Sequence, residues 1–125
     1  MPVKTEDKIE AVHAYIDGFS KGDANAIAAL YADDATVEDP VGTPIKEGID
    51  AIREFYTGAM ASGAQLELRG TPRCAGDYVA FPFAVKMKMN GEDAHIEIID
   101  TFRFNEEGKV IEMRAFWGPE NFVTG

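Results

Sequence analysis

The sequence predicts an α+β fold, with helices laid over one face of a curved, mainly antiparallel sheet. Three observations predict it. Apolar residues recur at helical spacing over roughly the first sixty positions. They alternate with polar residues through most of the second half of the chain. Asn90-Gly91 then joins two of the alternating runs, the strongest short signal of a tight hairpin.

In chain order, Thr5 is the expected N-cap of the first helix, with Glu6 and Asp7 in its first turn. Ile9, Val12, Ile16 and Phe19 form its apolar stripe, and Gly22 stops it. Asp23 caps a short second helix whose Ile27, Leu30 and Tyr31 share a face. The run "ATVED" reads as a strand ended by Pro40 and Gly42. A third helix spans positions 48 to 60 and places Ile52, Phe55, Tyr56, Ala59 and Met60 on one stripe. Four strands come next: "QLELRG", "YVAFPFAVKMKM", "EDAHIEIIDTFRF" and "KVIEMRAFW". A turn over positions 105 to 108 joins the last two, and Pro82 implies a bulge or a locally exposed edge in the second.

Length and composition narrow the function. The 125 residues suit one domain, 1–125, and 46% apolar content is that of an ordinary globular chain. The N-terminus lacks the apolar core of a secretory signal and no apolar run is long enough to span a bilayer, so a soluble, cytoplasmic protein is expected. A formal charge of −10 repels phosphate backbones and anionic lipid, which argues against nucleic-acid and membrane partners. One cysteine, Cys74, and two histidines, His13 and His95, make no zinc-ligand set, and the single thiol is expected to be inert. The glycines are scattered at turns rather than grouped in a phosphate or dinucleotide loop, so no cofactor and no metal are implied.

The candidate chemistry lies in two carboxyl groups. In "YADDATVEDPVG" strand alternation puts Asp39 on the face of Ala35 and Val37, while Asp33, Asp34 and Glu38 are read as solvated. Pro40 disfavours helix at the preceding residue and so helps keep Asp39 extended. A turn cap is the alternative reading of Asp39. On "HIEIIDTFRF" Asp100 shares a face with Ile96, Ile98, Phe102 and Phe104, and the expected inward faces of the neighbouring strands (Val79, Phe81, Phe83, Val85 and Met87, and Ile111, Met113, Ala115 and Trp117) carry no lysine or arginine. A bare anion there is costly, so the acid either finds a cation elsewhere or keeps its proton. Staying neutral at pH 7 takes about 4 kcal/mol of preference for the protonated form, which full burial can supply. A neutral carboxylic acid donates a hydrogen bond.

Tyr15, Tyr31 and Tyr56 fall on the apolar stripes of three predicted helices. Each could be an ordinary core aromatic; together with Asp100 they could form one buried network of donors. His13 lies toward the polar side of its helix and His95 on the face away from Asp100, so both are read as bystanders.

With Tyr15, Asp39 and Asp100 in these places, the chain resembles the Δ5-3-ketosteroid isomerases, a group within the cone-shaped α+β proteins similar to nuclear transport factor 2. The resemblance rests on "YADDATVEDPVG", "AIREFY", "IIDTFRFN" and "MRAFWG", and covers nearly the whole length; "GPENFVTG" and the first eight residues match less well. It implies a cone with a deep apolar pocket, no cofactor, a small hydrophobic steroid substrate, and a homodimer packed through the outer sheet face, where Ile99, Val110 and Phe116 are expected to point outward. It implies Asp39 as general base and Tyr15 with protonated Asp100 as the oxyanion hole. Ketosteroid isomerases are themselves the standard illustration of an aspartic acid kept neutral by its surroundings, so that role is carried by the resemblance. Tyr31 and Tyr56 become the network behind Tyr15, and Phe81, Phe83, Met113 and Trp117 the lining for the steroid rings. Other chemistries on the same cone, such as a cyclase or lyase, and a steroid or lipid carrier are the alternatives; dehydratases of this shape lean on an inward histidine, which this sequence does not offer.

Overall fold

The computed structural model describes residues 3–124. The first helix, α1 (Thr5–Ser20), is followed by the short α2 (Ala24–Ala28) and the strand β1 (Tyr31–Glu38). A two-residue strand, β2 (Lys46–Glu47), precedes α3 (Ile49–Met60). The remaining strands are β3 (Gln65–Leu68), β4 (Arg73–Ala75), β5 (Tyr78–Met89), β6 (Glu92–Phe104), β7 (Val110–Phe116) and β8 (Phe122–Thr124). The strands form one sheet in the order β2-β1-β7-β6-β5-β3, with β4 also on β5 and β8 also on β6. All neighbours are antiparallel except β1 and β7, which run parallel. The three helices lie on this curled sheet, and the buried side chains of helices and strands make one cluster.

Local chemistry explains most boundaries. Asp23 accepts from the Ala26 N–H at 3.0 Å and caps α2 as expected. The cap of α1 differs: Lys4, extended and without a side-chain bond, occupies that position, and Thr5 is the first helical residue. The Lys4 carbonyl takes the N–H groups of Asp7 and Lys8 at 3.1 Å each, so the turn closes on backbone alone. Asn90 and Gly91 both have positive φ, 53° and 81°, the geometry that a two-residue hairpin between right-twisted strands requires.

Pro82 makes no bulge. It pairs in register with Ile99, and its carbonyl accepts from the Arg69 N–H at 2.8 Å on the side away from β6. Its missing N–H therefore faces the gap where β3 has ended at Leu68 and β4 has not begun, so no ladder bond is lost there.

Two expectations about faces fail for one reason. Val110, expected outside, is 0% exposed, and Ile111, expected inside, is only half-buried. Phe104 pairs with Val110 but Arg103 pairs with Glu112, so Ile111 is an extra residue in β7 and the alternation changes phase across it. Ile99 and Phe116 do point outward, directly opposite each other and about half exposed.

Tyr31 is a further correction. It opens β1 instead of closing a helix, because the chain leaves α2 to join β7 in parallel: Tyr31 pairs with Val110, whose N–H donates to the Leu30 carbonyl at 2.9 Å. Its side chain is buried all the same.

Candidate active site

Asp39 comes directly after β1, across a cis bond from Pro40. Ala35 and Val37, fully buried, carry its face of the strand into the core, and Asp39 itself is half-buried at the edge of that core. The indole Nε1–H of Trp117 donates to its Oδ1 at 3.0 Å. Burial raises the Asp39 pKa above the ordinary carboxylate range, while the indole bond and the charge of Lys46 pull it back. The outcome is a carboxylate with raised basicity that still has partners for its charge.

Asp100 sits in the middle of β6 between Phe81 on β5 and Ala115 on β7, both fully buried. It is 1% exposed, and neither carboxyl oxygen has a hydrogen-bond partner among the described residues. Burial pushes its pKa well up, the charge of Asp39 adds to that, and the Tyr15 phenol opposes it. Among the described residues the alternative of a buried salt bridge finds no support, since no ion pair involves Asp100. An orphaned buried carboxyl is rare enough to ask for a function.

The three tyrosine hydroxyls are linked, although they come from α1, β1 and α3. Tyr31 and Tyr56 share a hydrogen bond of 2.6 Å, and the Tyr15 O–H donates to the Tyr56 oxygen at 3.3 Å. Burial raises all three phenol pKa values well above normal, and the charge of Asp39 acts in the same direction on Tyr15. All three therefore stay protonated and act as donors near neutral pH. Tyr15 also packs edge-on against Phe81, Phe83 and Phe102, which fixes its ring.

A largely apolar cavity of about 250 Å³ opens between α1, α3 and the inner sheet face. Tyr15, Asp39, Phe83 and Trp117 reach its wall; Phe55 and Ile98 are wall residues that the sequence reading left out of the site. Phe81 and Met113 do not reach it. Both are 0% exposed and belong to the core behind, because strand alternation gives the face of a side chain but not its depth below a cavity. Asp100 also lies one layer beneath the wall, while Ile98, two residues earlier on the same face, is part of it.

The other polar candidates lie elsewhere. Asp33 and Asp34 are exposed, and Glu38 accepts from the Gly42 N–H at 3.0 Å. His13 is exposed, and His95 lies 3.1 Å from Glu97 on the outer face. Cys74 is a free, half-buried thiol on β4. Among the described residues no three His, Cys, Asp or Glu side chains gather as metal ligands, and no helix is long and apolar enough to cross a membrane.

The SnoaL-like domain family matches residues 12–113, a span that contains Tyr15, Asp39, Tyr56 and Asp100. The chain belongs to the SnoaL-like family. Of its relatives, the steroid Δ-isomerase of Nocardioides simplex is 41% identical over 114 residues, 91% of this chain and 92% of that protein. The epoxide hydrolase LasB of Streptomyces lasalocidi is 29% identical over 124 residues, 94% of this chain but 43% of that longer protein. Among solved structures, the epoxide hydrolase/cyclase-like enzyme SalBIII, described for pyran ring formation in the polyether salinomycin, superposes with a TM-score of 0.88. It is 30% identical, with 96% of this chain and 97% of that one covered. The SnoaL-like fold thus supports the curled α+β architecture read from the sequence.

Proposed function

We propose that this chain is a steroid Δ-isomerase, moving the double bond of a Δ5-3-ketosteroid to the Δ4 position by transfer of one proton within the substrate. The observation that carries the reading is Asp100: sealed in the core and, among the described residues, without a cation and with both oxygens unbonded. The 41% identity to a named steroid Δ-isomerase over 91% of the chain supports it.

Asp39 is the base. Its carboxylate takes the proton from the carbon between the ketone and the double bond and returns it two carbons further along. The dienolate formed between the two transfers carries its charge mainly on oxygen, and Tyr15 and neutral Asp100 donate hydrogen bonds to that oxygen. Donors already oriented in a dry site stabilise such charge without reorganisation, typically by about 3 to 4 kcal/mol each. In the resting protein the Tyr15 O–H donates to Tyr56; on substrate binding it turns to the ketone oxygen, and Tyr56, itself bonded to Tyr31, donates to the Tyr15 oxygen from behind. Phe83 and Trp117 flank the flat rings, with Phe81 and Met113 as the layer that backs them. Because Asp100 lies beneath the cavity wall, the bound ketone must part the side chains around Tyr15 and Ile98 to meet it.

The protein acts as a homodimer in this reading, joined through the outer sheet face where Ile99 and Phe116 are exposed side by side. Its site is the cytoplasm.

Relatives named as epoxide hydrolases favour a second reading, acid-assisted epoxide opening or ring closure with Asp100 protonating oxygen and Asp39 activating the nucleophile. Turnover separates the two. Mixing the protein with 5-androstene-3,17-dione and following the ultraviolet absorbance of the conjugated ketone should show a rate far above buffer. The Asp39→Asn variant should lose that rate yet still bind a product-like steroid. A wild-type rate equal to buffer would discard the isomerase, and a rate that survives Asp39→Asn would remove Asp39 as base.

A further inference from the structure

After β7 the chain leaves the ladder at Trp117, makes a 3₁₀ turn over Pro119–Asn121 and rejoins β6 as β8. Three bonds fix the turn: the Gly118 N–H donates to Asn121 Oδ1 at 2.8 Å, the Asn121 N–H to the Gly118 carbonyl at 2.9 Å, and the Phe122 N–H to the Pro119 carbonyl. β8 then sets Phe122 opposite Ile96, itself a wall residue of the cavity. From there the Phe122 ring meets Trp117 edge-on, centroids 6.2 Å apart and planes at 71°. The single tryptophan of the chain is therefore held at two ends, by Phe122 on its ring and by Asp39 on its nitrogen.

We propose that Phe122, at the start of the C-terminal strand, is a positioning residue for the base: it holds Trp117 in the orientation from which the indole restrains the Asp39 carboxylate. This rests on the reading of Asp39 as the general base. Trp117 lies one residue past the end of β7, so packing, not the ladder, sets its rotamer. Asp39 likewise lies one residue past the end of β1, and the indole supplies its one side-chain hydrogen bond among the described residues. Both partners are at strand ends, and Phe122 is the aromatic contact that immobilises the pair. Misaiming a base by about 1 Å can cost 10²-fold in rate, so a group two contacts away can matter to chemistry. Besides the indole, Lys46 on β2 is the group that lowers the Asp39 pKa, while the charge of Asp39 in turn raises the pKa of Asp100 on β6, Tyr15 on α1 and Tyr31 on β1. Phe122 itself is on β8, an element that carries none of these groups.

Trp117 gives a readout that needs no substrate. Its fluorescence should titrate with Asp39 in the wild-type protein and be flat over the same range in Asp39→Asn. Phe122 is 38% exposed, so Phe122→Ala should fold; Phe122→Leu, which keeps the apolar bulk without the ring, is the second variant. Either should move the fluorescence midpoint upward by about half a unit or more, because a loosened indole bond favours the carboxylate less. Either should also lower kcat about threefold or more with KM little changed, the signature of an interaction that matters in the transition state. Phe122→Tyr should restore both. A midpoint and kcat unchanged in both Phe122→Ala and Phe122→Leu, or a wild-type titration that persists in Asp39→Asn, would overturn the positioning role. A wild-type protein whose tryptophan titrates with Asp39 but which turns over no ketosteroid would remove the isomerase and with it the base that Phe122 is argued to serve.

Discussion

Replacing Asp100 by Asn keeps the volume and a hydrogen-bond donor but removes the titrating proton, and the consequence can be worked out. In the native chain burial and the charge of Asp39 hold the Asp100 pKa well above its ordinary value, whereas in the unfolded chain it titrates as a normal aspartate near about 4. Above that pH the folded state binds one proton that the unfolded state has released. Stability is therefore full at low pH and falls as pH rises, by about 1.4 kcal/mol per unit, until the native group also ionises. A donor that is neutral at pH 7 requires that loss to continue through neutrality. The Asp100→Asn variant lacks it, so between pH 5 and pH 7 the variant should gain about 2.7 kcal/mol relative to wild type. Urea unfolding of both proteins at pH 5, 6 and 7, at one fixed protein concentration, measures the difference. Other groups titrate in both proteins and largely cancel. A gap that stays constant over these two units would mean that native Asp100 is ionised like its unfolded counterpart, and the oxyanion-hole argument would fail.

The same geometry sets three further outcomes. Tyr56→Phe removes the hydroxyl that joins Tyr15 to Tyr31, so the Tyr15 oxygen loses the partner that holds it in place; kcat should fall about tenfold with KM within twofold, and an unchanged kcat would show that Tyr15 needs no support. Lys46→Met removes a charge that favours ionised Asp39, so the Asp39 pKa rises and the acid limb of kcat/KM, where the base gains its proton, moves to higher pH; a shift the other way would contradict the assignment. Ile99→Asp places a charge against Phe116 on the outer sheet face and should convert a dimer into a monomer in sedimentation, whereas a wild-type chain that already sediments as a monomer would refute the interface.

How much of the molecule is legible in its sequence depends on the range of the forces involved. The two long strands are readable to their ends because twelve and thirteen residues of alternation outweigh any local ambiguity, and the alternation places Asp100 among apolar neighbours correctly. Pairings of two or three residues, β2, β4 and β8, carry no period and are invisible. Tyr31 looks helical because Ile27, Leu30 and Tyr31 keep helical spacing; its parallel pairing with a residue 79 positions later, at Val110, decides otherwise. The extra residue at Ile111 reverses the face of Val110 in the same way, through a partner strand rather than a local signal. In the site, the identities of Asp39, Asp100 and the tyrosines are visible as polar groups on apolar faces. The Trp117 bond to Asp39 is not, since it joins two strand ends 78 residues apart.

The two carboxyl groups are coupled, and the coupling suits the reaction proposed. Ionised Asp39 helps hold the proton on Asp100, and Asp100 lies where an anion would find no ion-pair partner among the described residues. When Asp39 takes the substrate proton it becomes neutral, and the negative charge moves to an oxygen facing Tyr15 and Asp100. The site then holds one negative charge before the transfer and one after it, displaced from the indole-bonded wall toward the phenol and the acid. Donors that stay neutral throughout can therefore follow the charge without ionising. If Asp100 were ionised in the resting protein, the same transfer would bring a second negative charge beside it in a site of low polarity, and the buried carboxylate would oppose the step it is placed to assist.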